Sequence, residues 1–173
     1  MLLYILSFEI SIMRIIGIDP GIGRTGWGII EKNRQQISAF KFGCWETKAE
    51  EETPERLVQI YSSLSKILEE YHPDELAIEE LFFNTNAKTA LIVGQARGVV
   101  MLAAAQKNIP IAIYTPLQVK MAITGYGRAE KSQVGQMVKI LLKLPAIPKP
   151  DDTADALAIA LTHAFTVKQI YKT

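Results

Sequence analysis

Four carboxylates stand where side chains of this kind do chemistry. Asp19 ends the apolar run Ile15-Ile16-Gly17-Ile18, and Glu79 ends Leu76-Ala77-Ile78. Asp152 and Asp155 open the last apolar run, ALAIALTHAF. An acid at the end of a buried run needs a partner, a cation or a proton. Gly17, two residues before Asp19 and on the same face of a strand, leaves room beside it. Asp152 and Asp155 are three apart, so they share one helical face. Asp151 is rotated away from Asp155 and is the natural cap for that helix. The positive end of the helix dipole tempers repulsion among acids gathered there. A dry cluster of acids calls for divalent cations, and Mg²⁺ prefers oxygen ligands while keeping water and phosphate in its shell. Two such ions about 3.5–4 Å apart serve phosphodiester cleavage. Glu80 adjoins Glu79 and points to the opposite face; alternation alone does not say which of the two joins Asp19.

Other chemistries find less support. A lone cysteine, Cys44, excludes an internal disulfide and a cysteine-rich zinc site. His163 lies about 12 Å along the helix from Asp155, too far to share an ion. It reads as structural, as does His72 before Pro73. GIDPGIGRTG carries glycines but lacks the Gly-Lys-Ser/Thr of a phosphate loop, and there is no Gly-x-Ser-x-Gly elbow.

The elements that must position these acids follow from periodicity. MRIIGID, TGWGIIEKN and QISAFKFGCWET read as three strands joined by short turns, an antiparallel meander. Thr53-Pro54-Glu55 starts a helix, with Thr53 as cap, that runs to Tyr71-His72-Pro73. DELAIEE is a fourth strand. AKTALIVGQARGVVMLAAAQKN is a long helix, apolar nearly all round, hence expected to be buried on more than one side. Gly94 and Gly98 would let another backbone approach it. IPIAIY is a fifth strand, followed by helices over Pro116–Thr124 and Ala129–Leu144 and, after the breakers Pro148-Lys149-Pro150, the last helix. The order βββ-α-β-α-β-α-α-α implies an α/β fold, a mixed five-stranded sheet with helices on both faces.

The 173 residues suit one domain. Apolar content of 49% and charged content of 21% match neither a disordered nor a membrane protein. The start, MLLYILSFEISIM, is apolar, but Glu9 and Arg14 interrupt it and it lacks a basic n-region. Residues 1–12 read as an extension outside the fold, with Met13 as the working initiator, residues 13–166 as the domain and 167–173 as a tail. One cysteine and no span fit a cytoplasmic setting. Net charge is only +1, yet it is unevenly spread. Lys88, Arg97, Lys107, Lys120, Arg128, Lys131, Lys139, Lys143 and Lys149 face Glu130 as the one acid between residues 84 and 149. That segment carries +8 and the remainder −7, an asymmetry that points to a polyanion.

Six motifs, in order, resemble the RuvC family of bacterial Holliday junction resolvases: GIDPGIGRTGWGII, AIEELFF, GQARGV, the QVK within Leu117–Met121, GRAEKSQV and DDTADALAIALTHA. They span Met13 to Phe165. The resemblance implies a ribonuclease H-like fold. It implies a homodimer that nicks two symmetric strands of four-way junction DNA with Mg²⁺, or Mn²⁺ in its place, and that works with the RuvA and RuvB branch-migration proteins. It makes Asp19, Glu79, Asp152 and Asp155 the catalytic, metal-binding carboxylates and so selects Glu79 over Glu80. Position 152 varies in the family, some members having His. Lys120 and Lys131 match basic residues near the DNA backbone, Phe82 matches an aromatic that contacts bases near the crossover, and the helix with Gly94 and Gly98 matches the dimer region. The alternatives are another ribonuclease H-like nuclease, a non-catalytic junction-binding module, and a fragment of an actin-like sugar kinase. The last needs a second domain for which 173 residues leave no room.

Overall fold

A computed structural model of the chain describes residues 12–34, 36–80 and 87–167. Five strands and five helices follow in the order β1 (Met13–Asp19), β2 (Arg24–Lys32), β3 (Ile37–Glu46), α1 (Thr53–Tyr71), β4 (Glu75–Glu79), α2 (Ala87–Gln106), β5 (Ile111–Tyr114), α3 (Pro116–Thr124), α4 (Lys131–Leu141) and α5 (Asp151–Thr166). One sheet holds all five strands in the order β3-β2-β1-β4-β5. β1, β2 and β3 pair antiparallel, whereas β4 runs parallel to β1 and to β5. This is the mixed five-stranded sheet expected from the pattern.

Each face of the sheet has its own core. Ile16, Ile18, Ile29, Leu76 and Ile78 pack under α1 and α2 against Ile60, Leu64, Leu68 and Val100. Ile15, Ile30 and Ala77 point the other way, into a core with Leu157, Leu161, Val119, Val134 and Val138 of α5, α3 and α4. Each fully buried Ile or Leu contributes about 1.5–3 kcal/mol relative to exposure. α5 lies between the sheet and α3 and α4, so its residues from Thr153 to Ala164 are buried, with Asp155 half-exposed.

Glycines seat α5 on the sheet. Gly17 pairs with Gly28 and Asp19 with Gly26, so three glycines and one acid share one face of β1 and β2. A Cβ on Gly17 would collide with the carbonyl oxygen of Ala156, and one on Gly26 with that of Asp152. On Gly28 it would come within 2.6 Å of the Leu157 side chain. The space that Gly17 leaves beside Asp19 is thus filled by the backbone of α5.

Three local expectations are corrected. Pro150 takes the N-cap position of α5, so Asp151 falls in the first turn and pairs with Lys149 at 2.8 Å instead of capping. Glu52, not Thr53, is the N-cap of α1, without a side-chain cap, and Pro54 stands in the first turn, where its missing N–H costs no helical hydrogen bond. Within the single chain α2 buries one face, through Ala96, Val100, Ala103 and Ala104, while Leu91 and Leu102 are exposed and the space beside Gly98 is open.

Candidate active site

Topology brings the four acids together. Asp19 sits at the C-terminal end of β1, on the face that meets α5. Glu79 ends the neighbouring parallel strand, two residues after Ala77, which packs in the α5 core. That parity puts Glu79 on the face of Asp19 and leaves Glu80, whose N–H donates to the Tyr114 carbonyl at 2.7 Å, beyond the strand. Gly26, opposite Asp19, lets the backbone of Asp152 press on the sheet, so the first turn of α5 lies over the end of β1.

The electrostatics record the crowding. Burial first, then the charges of Asp155, Glu79 and Asp152, push the Asp19 carboxyl up to about 7, against a lowering pull from Lys131. Burial and Asp155 push Glu79 up to about 6, against Lys120 and Lys131. Burial also raises Asp155, outweighing its ion pair with Lys131 at 2.6 Å. Burial alone would lower Lys131, but the hydrogen bond and charge of Asp155 leave it raised overall.

Lys120 of α3 and Lys131 of α4 line a cleft of about 270 Å³ with Glu79, Asp155, Val119 and Val134. Both lysines expected near the site are therefore beside its acids. Phe82 lies outside the described residues. Two cations were not singled out from the sequence. Arg24 at the start of β2 places Nε 3.5 Å from Oδ2 of Asp152. Arg97 of α2 donates from Nε to the Glu79 carbonyl at 3.3 Å. Both lie within motifs quoted for the resemblance, Arg24 in GIDPGIGRTGWGII and Arg97 in GQARGV, but their pairing with the acids depends on partners distant along the chain.

The donor set is carboxylate oxygen throughout, which suits hard divalent cations. Burial first, then repulsion among the acids, raises two of its members above the ordinary carboxylate range. Among the described residues no three such groups already converge on one ion-sized position. Lys131 and Arg24 stand against Asp155 and Asp152 and supply charge compensation there. The residues fit a divalent metal in chemistry and in charge.

His163 belongs to a different part of the fold. It is 5% exposed, its Nδ1 lies 2.7 Å from the Tyr114 hydroxyl, and its Nε2 meets Glu75. This buried chain joins α5 to β5 and to the start of β4, at the end of that strand away from Glu79.

Residues 15–163 match the profile of the family described as crossover junction endodeoxyribonuclease RuvC. A protein of that name from Desulfitobacterium hafniense is 55% identical over 155 residues, covering 90% of this chain and 94% of its own. One from Alkaliphilus oremlandii is 56% identical over 154 residues, with 89% and 94% covered. The structure of Thermus thermophilus RuvC in complex with a Holliday junction substrate superposes with a TM-score of 0.84 at 39% identity, covering 89% of this chain and 94% of that one. The yeast mitochondrial Holliday junction resolvase Ydc2, at 17% identity and a TM-score of 0.63, covers 88% and 78% and shares the fold. With a matching profile over most of its length and relatives above one-half identity, the chain belongs to the RuvC family of crossover junction endodeoxyribonucleases.

Proposed function

We propose that this chain resolves four-way DNA junctions by paired symmetric nicks, at a site made of Asp19, Glu79, Asp152 and Asp155. The observation that carries the reading is the placement of Asp19 and Glu79 at the ends of β1 and β4 beneath the first turn of α5, with burial and three neighbouring acids pushing the Asp19 carboxyl up to about 7. Such crowding opposes folding and is relieved by bound cations. The four carboxylates would hold two Mg²⁺ ions, with Mn²⁺ as a substitute, and those ions would supply an activated water and stabilise the leaving oxygen.

The chain's own residues do the rest. Lys120 and Lys131 draw a backbone phosphate into the cleft and offset its charge as the bond breaks. The apolar wall of Val119, Val134 and Ile159 keeps the cleft's dielectric low, which strengthens both contacts. The basic segment from residue 84 to 149 attracts the junction arms by counterion release. Phe82 would stack on a base opened near the crossover, an interaction worth about 1–3 kcal/mol. Paired nicks require two sites related by a two-fold axis. The exposed face of α2, with Leu91, Gly98 and Leu102, is the surface on which a second copy would pack. RuvA and RuvB would deliver the junction.

Incubating the protein and Mg²⁺ with a four-way junction, a linear DNA duplex and an RNA duplex tests the reading. The expected result is symmetric nicking of the junction and far slower cleavage of the other two. Equal cleavage of the linear or RNA duplex would favour a general ribonuclease H-like nuclease. Binding without cleavage would favour a junction-binding module.

A further inference from the structure

Glu79 is the last residue of β4, and the ladder alone does not hold its backbone. The Leu76 N–H donates to the Pro110 carbonyl at 2.9 Å, and the Glu80 N–H to the Tyr114 carbonyl at 2.7 Å. Even-numbered residues of this stretch therefore address β5. Backbone groups alternate sides along a strand, so the carbonyl of Glu79 addresses β1. Leu76 stands opposite Ile111 and uses the carbonyl one residue before it, the slant of a parallel pair. By the same slant, a β4 carbonyl takes its donor from the β1 residue one past its partner. Ile18 is opposite Ile78, so the register carried forward sets Asp19 beside Glu79 and Pro20 in the donor position. Proline has no N–H to give.

Arg97 fills that gap. From the middle of α2 its Nε donates to the Glu79 carbonyl at 3.3 Å. The Glu79 carbonyl and the Glu80 N–H belong to one planar peptide unit. That unit is gripped at both ends, by Arg97 on one side and by the Tyr114 carbonyl on the other. The donor is itself well anchored. Arg97 is half-buried, and its helix neighbours Ala96 and Val100 are fully buried in the core that also holds Ile78 of β4. The proline of GIDPG removes a backbone donor, and the arginine of GQARG supplies one in its place.

The restraint falls on the residue that needs it. Glu79 stands at a strand end, where burial and the charge of Asp155 both oppose its ionised form. A carboxylate under that pressure turns away unless its backbone is held.

We infer that Arg97 is a positioning residue for the Glu79 carboxylate: it supplies the donor that Pro20 cannot, fixes the last peptide of β4, and so keeps Glu79 directed at the cation site it shares with Asp19 and Asp155. The inference rests on the nuclease reading given above and deepens it. Groups that orient a metal ligand from behind typically account for roughly 10- to 100-fold in metal affinity or activity.

Two variants separate the hydrogen bond from charge and packing. Arg97→Gln loses the charge but keeps a donor nitrogen as many bonds from the backbone as Nε. Arg97→Met keeps the stem and loses both charge and donor. Both replacements are good helix formers, and circular dichroism melts verify that the variants fold. Mn²⁺ uptake by the DNA-free protein is followed by electron paramagnetic resonance, and the Mn²⁺ concentration for half-maximal junction nicking is measured alongside. Arg97→Met is expected to take up Mn²⁺ about 10-fold more weakly, with a matching shift in nicking, and Arg97→Gln to stay within about 3-fold of wild type. Variants that behave alike would overturn the inference. If both match wild type, the bond does nothing for Glu79; if both fail equally, the charge matters and the bond does not. These comparisons are read from Mn²⁺ uptake, so the nuclease reading fails separately, through a wild type that takes up Mn²⁺ and nicks no junction.

Discussion

At the scale of single residues, Asp19 is held well above the ordinary carboxylate range by burial and by its acidic neighbours. Its folded-state pKa near 7 exceeds the ordinary value of about 4, so the folded protein holds this proton more tightly than the unfolded chain does. The stabilising contribution is therefore complete below about pH 4 and is lost as pH rises towards 7. Glu79, pushed up to about 6, adds to the trend in the same direction. Without divalent cations, stability should fall between pH 5 and pH 8, and Asp19→Asn should flatten part of that fall. At about 1.36 kcal/mol per pKa unit the Asp19 share is at most about 4 kcal/mol. Urea melts of both proteins at the two pH values measure it; identical pH dependence would show that Asp19 is not under this strain. Added Mg²⁺ should raise wild-type stability more at pH 8 than at pH 5, because a bound cation stabilises the state that binds it.

The elements have their own dependencies. α5 is seated through Gly17, Gly26 and Gly28, so Gly26→Ala would drive a methyl into the Asp152 carbonyl. Overpacking of this kind costs typically about 1–3 kcal/mol, and here it should also lower nicking, since it moves Asp152 and Asp155. Gly28→Ala meets a flexible leucine side chain and should be milder on both counts. A second dependency is the chain Glu75–His163–Tyr114. Tyr114→Phe leaves the buried Nδ1 of His163 without its partner, and a loss of about 1–3 kcal/mol in denaturant melts is expected. These points also show what the sequence made legible. Strand alternation and helical spacing located every element, and the apolar runs ending in acids marked Asp19 and Glu79. Alternation left Glu79 and Glu80 open and the resemblance selected Glu79; the physical reason lies in the sheet, in the face that Ala77 shares with α5. Asp151 was expected to cap because caps are local signals; Pro150 displaced it by one position, and Lys149 took its carboxylate. Arg24 stood inside a quoted motif without being read as a site residue, because its ion pair is with Asp152, far away in the chain.

For the whole molecule, the fold divides its labour across the sheet. One face carries α5 with the acids and, through α3 and α4, the lysines. The other carries α1 and α2, whose outer surface shows Leu91 and Leu102 at 65% and 53% exposure. Exposed leucines on one helix face are expected to be covered by a second copy of the chain. Leu102→Asp should shift the protein from dimer to monomer in sedimentation velocity and convert paired nicks into single, uncoordinated ones; a wild type that sediments as a monomer at micromolar concentration and still makes paired nicks would contradict this. Among the described residues no helix is long and apolar enough to cross a membrane. The central claim is that Asp19, crowded by Glu79, Asp152 and Asp155, performs the chemistry rather than the binding. It is tested most directly by measuring junction binding and Mg²⁺-dependent nicking for wild type and Asp19→Asn side by side. The account predicts binding within a few-fold of wild type and nicking reduced by a factor on the order of 10³ or more, as for loss of a group acting mainly in the transition state. Retained nicking in Asp19→Asn would contradict it.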